Sequence, residues 1–285
     1  MKKIAIVVDS SCGLTKEQVE KLGWHFLPLK IELDDKIYND GDNLKSNELF
    51  RHFSLETKTY KTACTPIGLV EDMVEALSAT HDYVVVFPIS KHLSSQYQNL
   101  KGMEALYPKL RVFESEYIAI LLTFQVYEFL NLVEKENMDV DKALELAAQW
   151  KEEMLVSLVP KYNDYLVKGG RLSPSAATVA KLLKIVPIIS FYHGKLEKEG
   201  KGRIFAKTIL NKIDEKLQDS DSDLLILQND CAEYAQVVKY VKDNYKNNRV
   251  FSSSLPNCIS IHTGPEAIVI IKLGRKLTDQ EIAAL

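Results

Sequence analysis

Cysteine is scarce and scattered: Cys12, Cys64, Cys231 and Cys258 stand far apart in 285 residues, with no paired metal-ligand spacing and no disulfide framework. Reduced thiols of this kind fit a cytoplasmic setting, and no metal is assigned. Neither sign of charge dominates, since 36 Lys and Arg face 39 Asp and Glu for a net charge of -3. That balance offers no cationic footprint for a nucleic-acid backbone. Long apolar runs are missing as well. The most apolar helical stretch, residues 118–133, is interrupted by Thr123, Gln125, Glu128 and Asn131, short of an uninterrupted span, so no stable membrane insertion is expected. Residues 1–9 lack the apolar core and small-residue cleavage site of an export signal. The chain also has no Gly-x-x-x-x-Gly-Lys-Ser/Thr loop, no Gly-x-Gly-x-x-Gly after the first strand, no Gly-x-Ser-x-Gly elbow and no His-Glu-x-x-His helix. Those absences remove P-loop nucleotide hydrolysis, dinucleotide chemistry and the commonest hydrolase signatures.

What is present is an ordinary globular composition, 46% hydrophobic and 26% charged, in a chain long enough for two α/β domains. Residues 3–8 form an aliphatic run closing on Asp9-Ser10-Ser11, followed by an amphipathic stretch over 15–22. Further strands are read at 26–33, 83–88 and 110–113, and helices at 47–53 with Ser46 as cap, 68–79, 94–107, 117–135 and 142–155. This alternation predicts an N-terminal three-layer α/β/α domain over residues 1–155 with a mainly parallel sheet. Residues 156–285 form the second domain, with strands at 156–159, 184–191, 223–228, 249–254 and 267–272. The turn His193-Gly194 inside 188–195 predicts antiparallel pairing, hence a mixed sheet.

Three hydroxyl-rich segments sit where α/β sheets place ligand groups: Asp9-Ser10-Ser11, residues 62–66 and residues 90–98. Any one of them is equally what a helix cap requires. Lys168-Gly169-Gly170-Arg171-Leu172-Ser173 reads either as a tight turn with an exposed arginine or as a fastening between domains. In Ile261-His262-Thr263-Gly264-Pro265, the histidine is either a satisfied structural residue or a titratable donor at a cleft.

The order of these motifs resembles the DegV family, which includes the fatty-acid-binding subunit of bacterial fatty acid kinase. Asp9-Ser10-Ser11-Cys12-Gly13-Leu14 is similar to its Asp-Ser-Ser/Thr-x-x-Leu opening, and Leu93-Ser94-Ser95-Gln96-Tyr97-Gln98 to its Leu-Ser-Gly-Thr-Tyr-Gln. Residues 165–173 and 261–265 match its two most specific signatures. The resemblance spans nearly the whole chain and implies two α/β domains enclosing an acyl chain. Its carboxylate would be held by Thr62, Ser94 and Ser95, with His262 and Thr263 near the head group. Arg171 and Arg203 would face an ATP-dependent kinase that makes the acyl phosphate, and no cofactor beyond the long-chain fatty acid is implied. The chain departs from the family pattern at Ala63, Cys64, Ser95, Gln96 and Glu266, the last placing a negative charge beside the carboxylate site.

The expected binding is divided between tail and head. About fifteen methylenes would contribute on the order of 12 kcal/mol gross at ~0.8 kcal/mol each, before ligand ordering is subtracted. Hydroxyls would replace the hydration of the carboxylate without adding charge. Leu121, Leu122, Phe124, Leu130, Leu182, Leu183, Ile185, Ile188 and Ile189 are candidates for the tail wall or ordinary core. The alternative is a stand-alone small-molecule phosphotransferase or hydroxy-acid enzyme using the same hydroxyls.

Overall fold

The computed structural model describes residues 2–46, 48–182 and 185–285. They form two units: Met1–Trp150 with Pro256–Cys258, and Lys151–Leu255 with Ile259–Leu285. The first unit gives way to the second at 150/151, and Leu155 pairs with Lys272 in the second unit's sheet.

The first unit contains strands β1 (Ile4–Asp9), β2 (His25–Leu27), β3 (Lys30–Leu33), β4 (Lys36–Asn39), β5 (Tyr60–Ala63), β6 (Tyr83–Phe87) and β7 (Leu110–Val112). Four of them make a parallel sheet in the order β2-β1-β6-β7, and three make an antiparallel sheet in the order β4-β3-β5. The apolar runs of β1 and β6 follow from burial on both faces. Ala5, Val7, Val84 and Val86 pack with Val70 and Val74 of helix Ile67–Ser78 and with Leu100 and Met103 of helix Gln96–Met103. The alternate residues face the other way, where the Phe87 ring lies 5.6 Å from Phe129 on helix Ile120–Glu134.

Local chemistry explains where the sequence reading and the structure part. The expected strand over 26–33 is broken into β2 and β3 around Pro28, which has no amide hydrogen for a ladder. The helix expected from 47 spans Leu49–His52 with Glu48 at its cap and no side-chain capping bond, so Ser46 does not cap it; Asn47 lies outside the described residues. Thr62, in the hydroxyl-rich segment 62–66, is in β5 opposite Ile31.

Gly13 ends the short 3-10 turn Ser10–Cys12 at φ 85, and a β-carbon there would collide with the Ile120 amide nitrogen. Gly13→Ala is therefore expected to destabilise the protein by more than about 1 kcal/mol, through both backbone and clash. Urea denaturation at neutral pH checks it.

The second unit contains β8 (Leu155–Val159), β9 (Val186–Tyr192), β10 (Lys195–Gly202), β11 (Leu224–Gln228), β12 (Val250–Ser253) and β13 (Ile268–Lys272). Their order is β10-β9-β8-β13-β11-β12, with β11 and β12 parallel and the other pairs antiparallel, so the sheet is mixed as expected. His193 and Gly194 turn β9 into β10 with φ of 45 and 74, the paired positive angles that suit strand twist in a tight hairpin. Residue 184, the expected start of β9, lies outside the described residues. Ile209 and Ile213 of helix Phe205–Leu217 and Val237 and Val241 of helix Tyr234–Asn244 cover Val159, Ile226 and Ile270. No helix among the described residues is long and apolar enough to cross a membrane.

Candidate functional site

Polar side chains gather in both units, and their partners separate scaffold from exposed chemistry. At the end of β1 the Asp9 carboxylate is fully buried. Its Oδ1 accepts from the Ser11 amide at 3.0 Å and the Ser11 hydroxyl at 2.5 Å, and its Oδ2 accepts from the Ile89 amide at 2.7 Å. Ser10 Oγ donates to Asp40 at 2.9 Å and accepts from the Leu29 amide at 3.2 Å. Asp40 accepts in turn from the Cys258 amide at 3.2 Å, within the same unit. Asp9-Ser10-Ser11 thus ties strand ends together. Burial pushes both Asp9 and Asp40 up to about 6. Neither Asp40 nor Cys258 stood out in the sequence, because each acquires its role from a partner far along the chain.

The other two hydroxyl segments are joined by side chains. The Thr65 amide donates to Gln96 Oε1 at 3.1 Å, and Gln96 Nε2 donates to Thr65 Oγ1 at 3.0 Å, both residues being buried. Thr65 Oγ1 also donates to the Pro28 carbonyl at 2.9 Å. This bracket connects the segment holding Thr62 to the segment holding Ser94. Ser94 is half-buried, and its Oγ accepts from the Gln96 amide at 3.2 Å, which leaves its hydroxyl hydrogen to point elsewhere. Thr62 is half-buried, while Ser95 is exposed at the cap of helix Gln96–Met103 without a side-chain capping bond. The sequence pointed to the hydroxyls but not to the Thr65–Gln96 bracket; its one visible signal was a glutamine opening a helix.

In the second unit His262 and Thr263 close the helix Asn257–Thr263. Burial, with a smaller push from the Arg171 charge, lowers His262 from its ordinary 6.5 to about 3, so its imidazole is neutral at physiological pH. A β-carbon on Gly169 would stand 2.9 Å from His262 Nδ1, and one on Gly264, at φ 81, would stand 2.6 Å from the Tyr165 ring. The two signature segments therefore touch, and their glycines permit it. Thr263 is 3% exposed, and its Oγ1 has no hydrogen-bond partner among the described residues.

Arg171 is exposed and donates to the Gly169 carbonyl at 2.8 Å; Arg203 is exposed just beyond β10. Leu121, Leu122 and Phe124 are buried on helix Ile120–Glu134, and Leu130 is half-buried there. Ile188 belongs to the packed core of the second unit, its side chain enclosed by protein neighbours. Ile189 is buried, Ile185 half-buried and Leu182 48% exposed, while Leu183 lies outside the described residues.

A family model described as "Uncharacterised protein, DegV family" matches residues 3–273. A DegV domain-containing protein of Mycoplasmopsis pulmonis is 40% identical over 291 residues, covering 98% of each chain. One from Clostridium acetobutylicum is 25% identical over 280 residues, covering 95% of this chain and 99% of its own. Among solved structures, a DegV family protein of Thermus thermophilus described as fatty acid binding superposes with a TM-score of 0.80 at 19% identity, covering 94% of this chain and 98% of that one. A fatty acid binding DegV family protein of Streptococcus agalactiae gives 0.81 at 22% identity, covering 95% and 98%. At these identities the likeness carries the fold.

Proposed function

From the premise that this chain belongs to the DegV family, we propose that it is a fatty-acid carrier that binds a long-chain fatty acid and presents the carboxylate to a separate ATP-dependent kinase. The observation that carries the reading is the buried Thr263 hydroxyl, without a hydrogen-bond partner among the described residues, beside a neutral His262. A buried hydroxyl left unpaired costs about 1–3 kcal/mol, so an oxyanion that accepts from it recovers what folding gave up. Within the first unit, Thr62, Ser94 and Ser95 are uncharged hydroxyl side chains proposed as donors in their own right. Solved structures of the same fold support the ligand class: a DegV family protein of Thermus thermophilus is described as fatty acid binding, a protein from Eubacterium ventriosum as stearic acid binding, and a DegV family protein from Eubacterium eligens as loaded with heptadecanoic acid.

In the proposed reaction a carboxylate oxygen of the bound acid attacks the terminal phosphoryl group of ATP on the kinase, giving acyl phosphate and ADP. The carrier supplies orientation and keeps the tail from water, and the kinase supplies the nucleotide site that this sequence lacks a P-loop to form. The exposed Arg171 and Arg203 support contact with an acidic patch of that kinase.

Native mass spectrometry tests the carrier directly. The expected spectrum shows the chain plus one fatty acid, and Thr263→Val is expected to weaken oleate binding about tenfold, the worth of one good hydrogen bond to a charged group. Thr62→Ala and Ser94→Ala report separately on the first unit's donors. An empty chain that hydrolyses or transfers from ATP unaided would overturn the reading.

A further inference from the structure

Glu266 follows the Gly264-Pro265 turn with a left-handed backbone, φ 56, which a side chain with a β-carbon adopts only where its surroundings hold it. Its carboxylate is the part held. Oε2 meets Lys161 Nζ at 2.6 Å, and Oε1 accepts from the Tyr162 hydroxyl at 3.3 Å. Lys161 also meets Glu233 at 3.3 Å and lies 5.7 Å from the centre of the Phe205 ring. The Lys161 and Glu266 side chains are each only 25% exposed, so water and salt screen the pair less than a surface pair. Burial alone would raise the Glu266 pKa, yet Lys161, with the Ala232 amide and the Tyr162 hydroxyl, holds the carboxyl below the usual range.

The contacts form a sequence of their own. Reading forward, His262 lies against Gly169, Gly264 against Tyr165, and Glu266 against Lys161 and Tyr162. Every second residue of 262–266 thus meets the segment 161–169 running in the opposite direction, and all of these residues lie in the second unit. Two of the three meetings are close approaches at glycines, which restrain by shape; the third is ionic and anchors the far end. Thr263 is suspended between the first two.

We propose that Lys161 and Glu266 form a positioning latch, an ion pair that holds the 262–266 turn against the 161–169 segment and so fixes the Thr263 hydroxyl and His262 ring where they receive a carboxylate. The ligand part of this proposal rests on the fatty-acid reading above; the restraint on the turn does not. The carboxylate that Glu266 brings near the head-group donors is tied to Lys161, which it shares with Glu233, and so works as an anchor.

The test compares the parent with Lys161→Met, Glu266→Gln, both together, and the exchange Lys161→Glu with Glu266→Lys, made together with Glu233→Gln because Glu233 also faces position 161. Oleate and hexadecanol binding are measured by calorimetry, and hydrogen exchange is followed at the Gly264 amide, which donates to the Ser260 carbonyl at 2.9 Å. Each single variant is expected to weaken oleate about tenfold, the double variant no further, and the charge exchange to recover most of the loss. Hexadecanol, which has the tail without the carboxylate, is expected to bind all variants as it binds the parent. Exchange at Gly264 is expected to quicken about tenfold in the single variants and to slow again in the charge exchange. Unchanged oleate binding in both single variants, equal losses for hexadecanol, or a charge exchange no better than the singles would overturn the latch. A parent that binds no oleate would sink the fatty-acid reading alone, and the Gly264 exchange rates would still decide whether the pair restrains the turn.

Discussion

Gly264→Val is expected to destabilise the protein by about 2–4 kcal/mol and to abolish fatty-acid retention, the sum of a strained backbone and an overpacked site. The residue sits at φ 81, and its missing β-carbon would fall 2.6 Å from Cδ2 and 2.9 Å from Cγ of Tyr165. Tyr165 is 6% exposed, so the ring is enclosed by protein. Gly264 also ends the helix carrying His262 and Thr263, its amide donating to Ser260, so the turn cannot retreat without breaking that end. Gly170 provides the control. It too has positive φ, 66, but a β-carbon there meets nothing within 4 Å, so Gly170→Ala is expected to cost only the left-handed backbone penalty of about 1–2 kcal/mol. Urea midpoints for the two variants, with extraction and mass analysis of bound lipid, separate the clash from the dihedral. Equal losses in stability would show that Tyr165 gives way and that the packing argument is wrong.

Acidification should act on this protein in two opposed directions. His262 is held at about 3 in the folded state against its ordinary 6.5, chiefly by burial and then by Arg171. A histidine lowered on folding contributes stability above its unfolded value and loses it as pH falls toward the folded one. At pH 5 that loss is about 2 kcal/mol, at ~1.4 kcal/mol per unit below 6.5. Asp9 and Asp40 run the other way, because burial raises them from 3.8 to about 6. Their contribution is fully present below 3.8 and is lost as pH rises through about 6. Asp223 does not enter this window. Burial would raise it, but Arg249 at 2.5 Å keeps it below the usual range, so it matters only in stronger acid.

The expected result is a parent protein whose stability changes little between pH 7.5 and 5, with single variants that do not. His262→Gln should gain about 2 kcal/mol on the parent over that interval, and Asp40→Asn should fall behind by about 1 kcal/mol. Chemical denaturation of the ligand-free protein at both pH values measures each difference. A His262→Gln variant that tracks the parent across pH would mean the imidazole is solvated and titrates normally.

Much of the fold was legible in the sequence because it depends on neighbours in the chain. The two-sided apolar character of residues 83–87 announces a covered parallel strand, and His193-Gly194 announces a hairpin through the positive angles it can adopt. Pro28 was equally legible in principle, since a residue without an amide hydrogen interrupts a ladder, yet the run around it read as one strand. The strand over residues 60–63 is absent from the sequence reading because a strand with one polar face has only a weak pattern over four positions.

By itself the sequence determined the alternation of strands and helices, the hairpin, the family, and which residue types stand ready as hydroxyl donors. Only the tertiary structure decided their chemical state and their partners. Asp40 reaches Cys258 across 218 positions, Gln96 reaches back to Thr65, and Glu266 finds Lys161. The physical reason is that desolvation and charge pairing depend on distance in space. A histidine written between Ile261 and Thr263 carries no mark of being neutral until the fold closes over it and brings Arg171 near.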